Sequence, residues 1–440
     1  MSGRIASDAL WNGYGSAAAA LPRIAGGDGV RFLLEDGRSV LDASNTGGSL
    51  GHRHPDIVAA MRRAIEAPVV NEAWTWTDRE VAIEELGMVA FEGEAAWFGG
   101  LRFCLSGSEA NDLALSLAQA LTGRTALAAR ERAYHGASGL ARDVTLQPHW
   151  HGGISWPSGE MSAVPGAASA IEIPAPVGER IGPVRPDPAA DVRQLEGVDG
   201  LLSEAAAVIV DYTQGGKYHS AAYQDRLASA ASSAGALWVA DEVVTGFGRT
   251  GRWFEFQGAS SRPDLLTLGK AFGAGAAPAG AVVFSRELAE RLDGSAWQTG
   301  GTFRTHPAAI AAIRAHLAVV QRDGLVERAQ AADPLLERAL AELAGRHPSV
   351  SRIDGRGLHW TVELHGPGWR LWRGDPRDIS IADRVRRAAL DAGALIGTSG
   401  EQTSLFIAPP LIIEDVDLLR IVDALDAGLG EADEALTNVS

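Results

Sequence analysis

Short apolar runs with little polar alternation are the feature of this sequence that most constrains its fold. Four of them span residues 208–210, 237–240, 265–268 and 281–284, each near a polar or glycine-rich turn. Such runs are typical of strands that are buried on both faces of a parallel sheet. Residues 224–235, rich in alanine and serine, separate the first two runs and have a helical composition. Strand, helix and strand at this spacing predict an α/β fold.

The regions around these runs predict a second unit and a loop-rich segment. Pro307 and Gly324 are suited to begin and end a helix, whose apolar face would hold Ile310, Ile313, Leu317 and Val320. From there to the C-terminus the pattern is mixed α+β, and 440 residues exceed one ordinary core, so we expect two domains. Residues 147–191 are rich in proline, glycine and serine, which predicts long loops over the sheet.

The charge balance limits the partners of the chain. Its formal net charge is −16, and no run of basic residues is present. Nucleic acid and anionic membrane surfaces both require clustered lysine and arginine, so we expect neither as a partner. No apolar run has the length of a signal peptide core or a membrane span. These features predict a soluble cytoplasmic protein.

Cysteine and histidine give little support for a metal site. Cys104 is the only cysteine, which excludes an internal disulfide, and its apolar surroundings predict a buried thiol. Two histidine pairs, His52 with His54 and His149 with His151, have no cysteine nearby. Two histidines alone are weak ligands for zinc, so no metal site is predicted.

Lysine is rare in this chain, and one lysine lies in a suggestive place. Among 39 lysines and arginines, only Lys217 and Lys270 are lysines. Arginine stays protonated in proteins and cannot form an imine with a carbonyl, whereas a lysine that loses its proton can. Chance loss of the other lysines explains the count equally well. The surroundings of Lys270 must therefore decide whether it has a chemical role.

Two further motifs supply those surroundings. Residues 106–111 (Ser-Gly-Ser-Glu-Ala-Asn) follow a predicted strand and precede a predicted helix, a place where backbone N–H groups bind phosphate. Ser106 and Glu109 also have the spacing of a helix capping box. Asp241 ends an apolar strand, where α/β sheets bind their ligands, and a buried carboxylate there needs a cationic partner. A phosphate cradle, a carboxylate for a ring nitrogen and an imine-forming lysine are the parts of a pyridoxal 5′-phosphate site.

With these parts in place, the chain resembles the class III (subgroup II) aminotransferases. These are pyridoxal-phosphate-dependent enzymes of fold type I, a group that includes enzymes like glutamate-1-semialdehyde aminomutase. Matching phrases at residues 42–55, 134–136 and 408–411 cover most of the chain in the family's order. The resemblance implies a mostly parallel central sheet flanked by helices, with a smaller α+β domain built from both chain ends. The implied boundaries are 1–55 and 306–440 for the small domain and 56–305 for the large cofactor-binding domain.

The resemblance also implies a role for each matching residue. Lys270 is expected to form the internal aldimine with pyridoxal 5′-phosphate and to shuttle protons, while Asp241 keeps the ring nitrogen protonated; pyridoxamine 5′-phosphate is the implied intermediate. Gly107 and Ser108 are expected to bind the phosphate through their backbone N–H groups. Tyr134 and Val243 would sandwich the ring, with His135 next to Tyr134 as a further cofactor-binding residue. Thr302 is expected to reach the phosphate of the neighbouring subunit. We therefore expect a homodimer with a shared active site.

Two departures from the family concern the substrate. Phe406 stands where members that use glutamate and 2-oxoglutarate carry an arginine for the α-carboxylate, and Gly216 stands where they carry the glutamate that gates this arginine. The absence of both the arginine and the glutamate indicates that the substrate is recognised differently, because losing the arginine alone would leave an unpaired acid in the site. Arg304 is an alternative source of a carboxylate-binding cation.

Aromatic residues complete the substrate hypothesis. We assign Trp74, Trp76, Tyr212 and Phe406 to the substrate side of the site. Flat rings suit the apolar faces of sugars and can hold cations, although the two tryptophans would equally suit packing at a dimer interface. Together with the acidic charge, these residues predict an amino sugar or polyamine-like substrate and a role in aminoglycoside biosynthesis.

Several reactions share this site. The leading hypothesis is transamination between a small-molecule amine and a carbonyl acceptor. Epimerisation and an aminomutase reaction would use the same residues and differ only in where the proton or the amine goes. A dinucleotide-binding oxidoreductase is a remote alternative, because no G-x-G-x-x-G motif opens a helix after an early strand. A noncatalytic binding module is disfavoured, because Lys270, Asp241, Tyr134 and Thr302 are all present.

Overall fold

A computed structural model describes residues 22–66, 75–155, 160–166, 169–177, 188–372 and 379–438. The strands, in chain order, are β1 (Ile24–Asp28), β2 (Arg31–Leu34), β3 (Ser39–Ala43), β4 (Phe98–Cys104), β5 (Ala126–Arg130), β6 (Ile154–Ser155), β7 (Met161–Ser162), β8 (Ile171–Ile173), β9 (Ala205–Asp211), β10 (Leu237–Asp241), β11 (Leu265–Leu268), β12 (Gly280–Ser285), β13 (Val350–Arg356), β14 (His359–Leu364), β15 (Ala394–Thr398) and β16 (Ser404–Ile407).

The α-helices of the described ranges are α1 (Pro55–Ile65), α2 (Thr77–Val89), α3 (Gly107–Thr122), α4 (Gly139–Asp143), α5 (Pro188–Gln194), α6 (Val198–Leu202), α7 (Ala221–Ala234), α8 (Arg286–Arg291), α9 (Pro307–Arg322), α10 (Leu325–Arg346), α11 (Ile381–Asp391) and α12 (Asp415–Thr437). In these ranges, no helix is long and apolar enough to cross a membrane.

The larger sheet has the order β4-β12-β11-β10-β9-β5-β8. Its strands β11, β10, β9, β5 and β8 pair in parallel, which confirms the predicted mostly parallel α/β sheet. The run at residues 281–284 does not follow the parallel pattern, because β12 is antiparallel to both β11 and β4. Ala281, Val282 and Val283 are nonetheless fully buried. Burial on both faces produces the same apolar run whichever way the strand points.

The loop-rich segment contains a strand that its composition does not predict. β8 pairs in parallel with β5 and forms one edge of the larger sheet. The short strands β6 and β7 form a separate hairpin. The expectation of loops alone over residues 147–191 is therefore wrong. A strand of three residues such as β8 is too short to carry a periodic signal of its own.

Helices α7 and α9 confirm two predictions. α7 begins after Ser220, whose hydroxyl accepts a hydrogen bond from the Tyr223 N–H at 3.3 Å, and it ends at Gly235 in the left-handed conformation (φ 68°). The predicted start at residue 224 was three residues late. α9 begins at Pro307, and the four residues of its predicted apolar face are all buried: Ile310, Ile313, Leu317 and Val320.

The smaller sheet combines both chain ends. Its order is β1-β2-β3-β15-β16-β14-β13. β3 pairs in parallel with β15, and the other pairings are antiparallel. A core that includes Trp360, Leu340 and Leu425 joins this sheet to α10 and α12. The sheet is the expected α+β part from both ends, while the exact boundaries at residues 55 and 305 stay a prediction.

Two aspartates and Lys270 lie at the carboxyl ends of the parallel strands of the larger sheet. Asp211 ends β9 and Asp241 ends β10, and these two residues are register partners. Asp241 is also the partner of Thr267 on β11, which leads through Gly269 to Lys270. Parallel strands therefore bring residues far apart in sequence to one edge, where ligands of open α/β sheets bind.

Arg249 ties this edge to the smaller sheet. Its guanidinium is buried and donates to the carbonyls of Asn45 (3.1 Å), Leu358 (3.2 Å) and Pro409, which belong to three separate segments. Burial lowers the pKa of Arg249 to about 10, so the group stays charged at neutral pH. Its three bonds connect the N-terminal loop, the larger sheet and the smaller sheet.

We predict that Arg249→Lys lowers the free energy of unfolding by about 2 kcal/mol, because a single ammonium cannot reach carbonyls on three segments and leaves buried acceptors without donors. Urea denaturation followed by circular dichroism measures the change. Arg38→Lys is the control, because Arg38 makes exposed ion pairs with Asp36 and Asp391 and should leave the denaturation midpoint unchanged. Equal midpoints for the two variants would contradict the proposed tie.

Candidate active site

Asp241 is held by donors from three directions. Its Oδ2 accepts hydrogen bonds from Asn111 Nδ2 and His135 Nδ1, both at 2.8 Å, and its Oδ1 accepts one from the Val243 N–H at 3.0 Å. The residue is only 4 % exposed. These bonds orient the carboxylate at the end of β10. None of the three donors is the lysine or arginine that a buried carboxylate usually pairs with.

A buried network stabilises these donors in turn. Asn111 Nδ2 also donates to the His135 carbonyl (2.7 Å), and Asn111 Oδ1 accepts from Thr267 Oγ1 (2.5 Å). The His135 N–H donates to Thr145 Oγ1 at 3.0 Å. Because each member has more than one partner, the carboxylate of Asp241 has one preferred orientation.

Lys270 lies at the start of a 3₁₀ turn (Lys270–Gly273) that directly follows β11. Its backbone has φ 43°, a left-handed conformation that costs a non-glycine residue about 1–3 kcal/mol and is concentrated at functional sites. Burial lowers the pKa of Lys270, while Asp241 and Asp211 act in the opposite direction. A lowered pKa makes the unprotonated, nucleophilic amine more available.

Glycines give the site a narrow cradle at the N-terminus of α3. A Cβ atom at Gly107 would lie 2.7 Å from both methyl groups of Val243, and one at Gly136 would lie 2.6 Å from Ser108 Oγ. Ser106 caps the helix, because its hydroxyl accepts from the Glu109 N–H at 3.2 Å. Glu109 does not complete the capping box and instead accepts from the Leu105 N–H at 2.8 Å. The cradle suits an anion at a helix N-terminus.

One cavity of about 420 Å³ joins these parts, a size within the usual range for small-ligand sites. It is lined by eight of the residues predicted from the sequence: Gly107, Ser108, Tyr134, His135, Tyr212, Asp241, Val243 and Lys270. The combination of an anion cradle, a carboxylate without a cationic partner and a nearby amine fits pyridoxal 5′-phosphate: the cradle would hold its phosphate, Asp241 its ring nitrogen and Lys270 its carbonyl carbon.

Other predicted residues lie away from this cavity. Thr302 is exposed on the surface of the chain. Phe406 is half-buried on β16 and stacks on His359, with ring centroids 5.7 Å apart. Trp76 lines a separate groove between α1, α2 and α9, and Trp74 lies outside the described residues. Within the described ranges, no group of three histidine, cysteine or acidic residues is arranged to hold a metal, and Cys104 is a buried free thiol as expected.

Sequence reasoning missed two residues of the cavity. Asn111 was part of the glycine-containing motif, but its contact with Asp241 depends on the turn that α3 makes after the cradle. Asp211 begins the altered phrase that ends at Gly216, and its place beside Asp241 follows from the register of β9 and β10. An acid that ends one strand, next to another that ends the neighbouring strand, was the available signal.

Comparison with known proteins agrees with this geometry. A family model described as aminotransferase class-III matches residues 16–429. The chain belongs to the class III aminotransferase family. Class III aminotransferases depend on pyridoxal phosphate, so this chain is an aminotransferase with that cofactor.

Two of the curated relatives of this class III chain are also aminotransferases by name. The acetylornithine aminotransferase of Mycobacterium tuberculosis is 32% identical over 427 residues, covering 96% of this chain and 94% of the relative. The diaminobutyrate–2-oxoglutarate aminotransferase of Rhizobium meliloti is 31% identical over 414 residues, covering 89% and 84%.

Solved structures show the same fold. An S-selective transaminase from Arthrobacter sp. with alanine bound superimposes with a TM-score of 0.85 at 28% identity, and the match covers 93% of each chain. A PLP-bound amine transaminase from an uncultivated Pseudomonas species gives a TM-score of 0.82 at 26% identity, covering 98% of this chain and 100% of that one. The fold-type-I prediction is therefore confirmed.

We predict that Gly107→Ala weakens the binding of pyridoxal phosphate about tenfold or more, because its methyl group would overlap Val243 and force the cradle open. The dissociation constant can be measured by the quenching of tryptophan fluorescence as the cofactor is added to apoprotein. The double variant Gly107→Ala/Val243→Ala should recover part of the loss.

Gly200→Ala is the matched control, since a Cβ at Gly200 would meet no atom within 4 Å. It should bind the cofactor as tightly as the unaltered protein. Unchanged cofactor affinity in Gly107→Ala would contradict the close contact between the cradle and Val243.

Proposed function

We propose that this aminotransferase takes its amino group from an amine without a carboxylate on the amino-bearing carbon, such as an amino sugar or an aminoglycoside, and passes it to a carbonyl acceptor. One observation carries the proposal: among the described residues that line the cavity, Lys270 is the only lysine or arginine. A 2-amino acid would have no cation there to receive its carboxylate once Lys270 is engaged in the reaction.

The region of Gly216 supports this proposal. Gly216 has φ 60°, and a Cβ there would lie 2.4 Å from Thr361 Cγ2. Arg352 donates to the carbonyls of both Gly215 (2.6 Å) and Gly216. The turn is therefore bound through its backbone, and a glutamate cannot replace Gly216 without moving Thr361. The glycine at position 216 therefore fits the packing around it, and replacing it by the family's glutamate would require neighbouring residues to move.

The region of Phe406 supports it as well. The ring of His359 stacks on Phe406 at an interplanar angle of 10°, and its Nδ1 is hydrogen-bonded to the Tyr218 hydroxyl. Burial, with smaller effects of Arg249 and Lys270, lowers the pKa of His359 to about 3. The imidazole is therefore neutral at physiological pH. Phe406 and His359 together place an uncharged pair where the family's arginine would stand.

In the proposed reaction each residue has a distinct task. When bound, pyridoxal phosphate supplies the carbonyl that condenses with amines and a ring that withdraws electrons from the substrate carbon. Asp241 holds a proton between its carboxylate and the ring nitrogen. Lys270 Nζ would remove a proton from the amino-bearing carbon of the substrate and, in transamination, deliver it to the cofactor carbon that carried the carbonyl. Tyr134 and Val243 hold the ring in place so that Lys270 faces the reacting bond.

The proposal includes a homodimer and keeps the cytoplasm as the predicted location. Thr302 and Phe303 are both exposed, which supports the expectation that Thr302 reaches the phosphate site of the partner subunit. The groove that contains Trp76 is a surface that such a dimer could cover.

An aminomutase is the second candidate. It is favoured by the Gly-Thr-Phe phrase at residues 301–303 together with Phe406 in place of the arginine. An aminomutase or epimerase needs no separate amino acceptor, whereas a transaminase stops after one turnover without it. A requirement for an added carbonyl acceptor therefore separates transamination from both alternatives.

We predict that kcat/KM for amino sugars and for diamines without a carboxylate exceeds that for the 2-amino acids glutamate and alanine by about tenfold or more, the value of one missing charge-assisted hydrogen bond pair. The measurement is a panel of amines with an aldehyde that has no carboxylate as acceptor, followed by mass-spectrometric detection of the ketone or aldehyde formed from each amine. Faster turnover of 2-amino acids than of every amine in the panel would overturn the proposed substrate class.

A further inference from the structure

Asp211 is a buried carboxylate of the cavity that has no task in the proposed reaction. It is the last residue of β9 and lies beside Asp241 on β10, its register partner. It lines the cofactor cavity and is 4 % exposed. The edge of the sheet therefore presents two neighbouring carboxylates to one cavity, and only Asp241 has a role so far.

The two oxygens of Asp211 differ sharply in their surroundings. Oδ1 accepts hydrogen bonds from the Gln214 N–H (2.7 Å), the Thr213 N–H (3.0 Å) and Arg130 Nη2 (3.3 Å). Oδ2 is buried and has no hydrogen-bond partner among the described residues. A buried carboxylate oxygen without a donor is unfavourable, because it has lost its hydrogen bonds to water. The three donors orient the side chain and leave this oxygen for another group.

Lys270 is the cation that lines the same cavity as this carboxylate. It is the only lysine or arginine among the described cavity residues, and Asp211 and Asp241 are the two acids whose charges favour its protonated form. Asp241 already accepts from Asn111, His135 and Val243 and would hold the ring nitrogen when the cofactor is bound. In Asp211, by contrast, Oδ2 has no hydrogen-bond partner among the described residues.

We propose that the free oxygen of Asp211 stabilises the proton on Lys270 Nζ while the cofactor is bound. The inference rests on the proposed role of Lys270 in binding pyridoxal phosphate. Two acids then divide the work: Asp241 acts on the ring nitrogen, and Asp211 acts on the lysine nitrogen. A protonated nitrogen makes the adjoining cofactor carbon a better target for an incoming amine.

Arg130 sets the strength of this effect. Its guanidinium is fully buried and donates to the carbonyls of Gln214 (2.7 Å) and Lys217 (2.8 Å) as well as to Asp211. Arg130 therefore orients the Asp211 side chain. Its positive charge also partly neutralises the negative charge of Asp211 in the cavity. The described titratable and charged groups around Asp211 and Lys270 lie on several elements: Arg130 at the end of β5, Tyr134 and His135 in the following loop, Tyr212 after β9, Tyr223 on α7, Asp241 and Glu242 at the end of β10, and His359 at the start of β14.

The tyrosines among these groups stay neutral over the range of a titration. Burial, followed by Asp241, raises the pKa of Tyr134. Burial, followed by Glu242, raises that of Tyr212 well above its usual value. Neither hydroxyl therefore supplies a competing negative charge near Lys270 at neutral pH.

The test is a pH titration of the visible absorption of the bound cofactor in the holoenzyme, which reports the proton on Lys270 Nζ. Asp211→Asn keeps the shape of the side chain and removes its charge, so the midpoint should fall by about one pH unit or more. Arg130→Gln keeps a donor but removes the neutralising charge, so its midpoint should rise. Opposite shifts from two variants that each disturb the same bond would not follow from a merely structural role.

Asp191→Asn is the matched control. Asp191 is fully buried and accepts from the N–H groups of Val177 (3.1 Å) and Ser220 (2.9 Å), but it does not line the cavity. The pH midpoint of the cofactor absorption in Asp191→Asn should equal that of the unaltered enzyme. If Asp211→Asn fails to fold, the upward shift in Arg130→Gln carries the test.

Borohydride reduction followed by peptide mass analysis separates the two levels of the proposal. A cofactor tag that is absent from Lys270 in the unaltered protein would defeat the proposed role of Lys270 itself. A tag on Lys270, with the same midpoint in Asp211→Asn, Arg130→Gln and the unaltered enzyme, would overturn the role of Asp211 alone.

Discussion

The orientation of the Asp241 carboxylate is the constraint on which the rest of the site depends. Two side chains from different segments, Asn111 in α3 and His135 after β5, bind one oxygen, and the Val243 N–H binds the other. Each donor is itself part of a helix, a strand end or a buried loop. The larger sheet therefore has to be complete before this carboxylate can be held at one position and angle.

Burial gives the same site its chemistry. In water a carboxylate and a lysine would interact weakly, but in a buried cavity, where the effective dielectric constant is lower, their charges act strongly on each other. Burial lowers the pKa of Lys270, and the two aspartates oppose that effect. A lysine balanced in this way can lose its proton to react and regain it during the reaction. The scarcity of other cations in the described cavity lining then limits which substrates suit the site.

Much of this arrangement could be predicted from the sequence, because its signals are local. Apolar runs at residues 237–240 and 265–268 indicated buried strands, and the motifs around Gly107, Asp241 and Lys270 indicated the cofactor. The same kind of signal failed where structure depends on partners distant in the chain. The direction of β12 is set by pairing with β4 and β11, and β8 is recognisable as a strand only through β5.

The substrate side was harder to predict for the same reason. Phe406 could be recognised as a departure, but its contact with His359 instead of the cavity depends on the pairing of β14 with β16. Asp211 could be recognised as an acid at a strand end, but its free oxygen follows from the bonds that Arg130, Thr213 and Gln214 make to the other one. Such hydrogen-bond assignments need three-dimensional positions.

Nitrogen NMR of the bound cofactor tests the central role of Asp241 most directly. Apoprotein would be reconstituted with pyridoxal phosphate labelled with ¹⁵N in the ring, and the chemical shift of the ring nitrogen would be recorded between about pH 6 and 9, above the usual pKa of an aspartate. We expect a protonated ring nitrogen throughout this range in the unaltered protein and an unprotonated one in Asp241→Asn. An unprotonated ring nitrogen in the unaltered protein, or the same shift in both proteins, would contradict it.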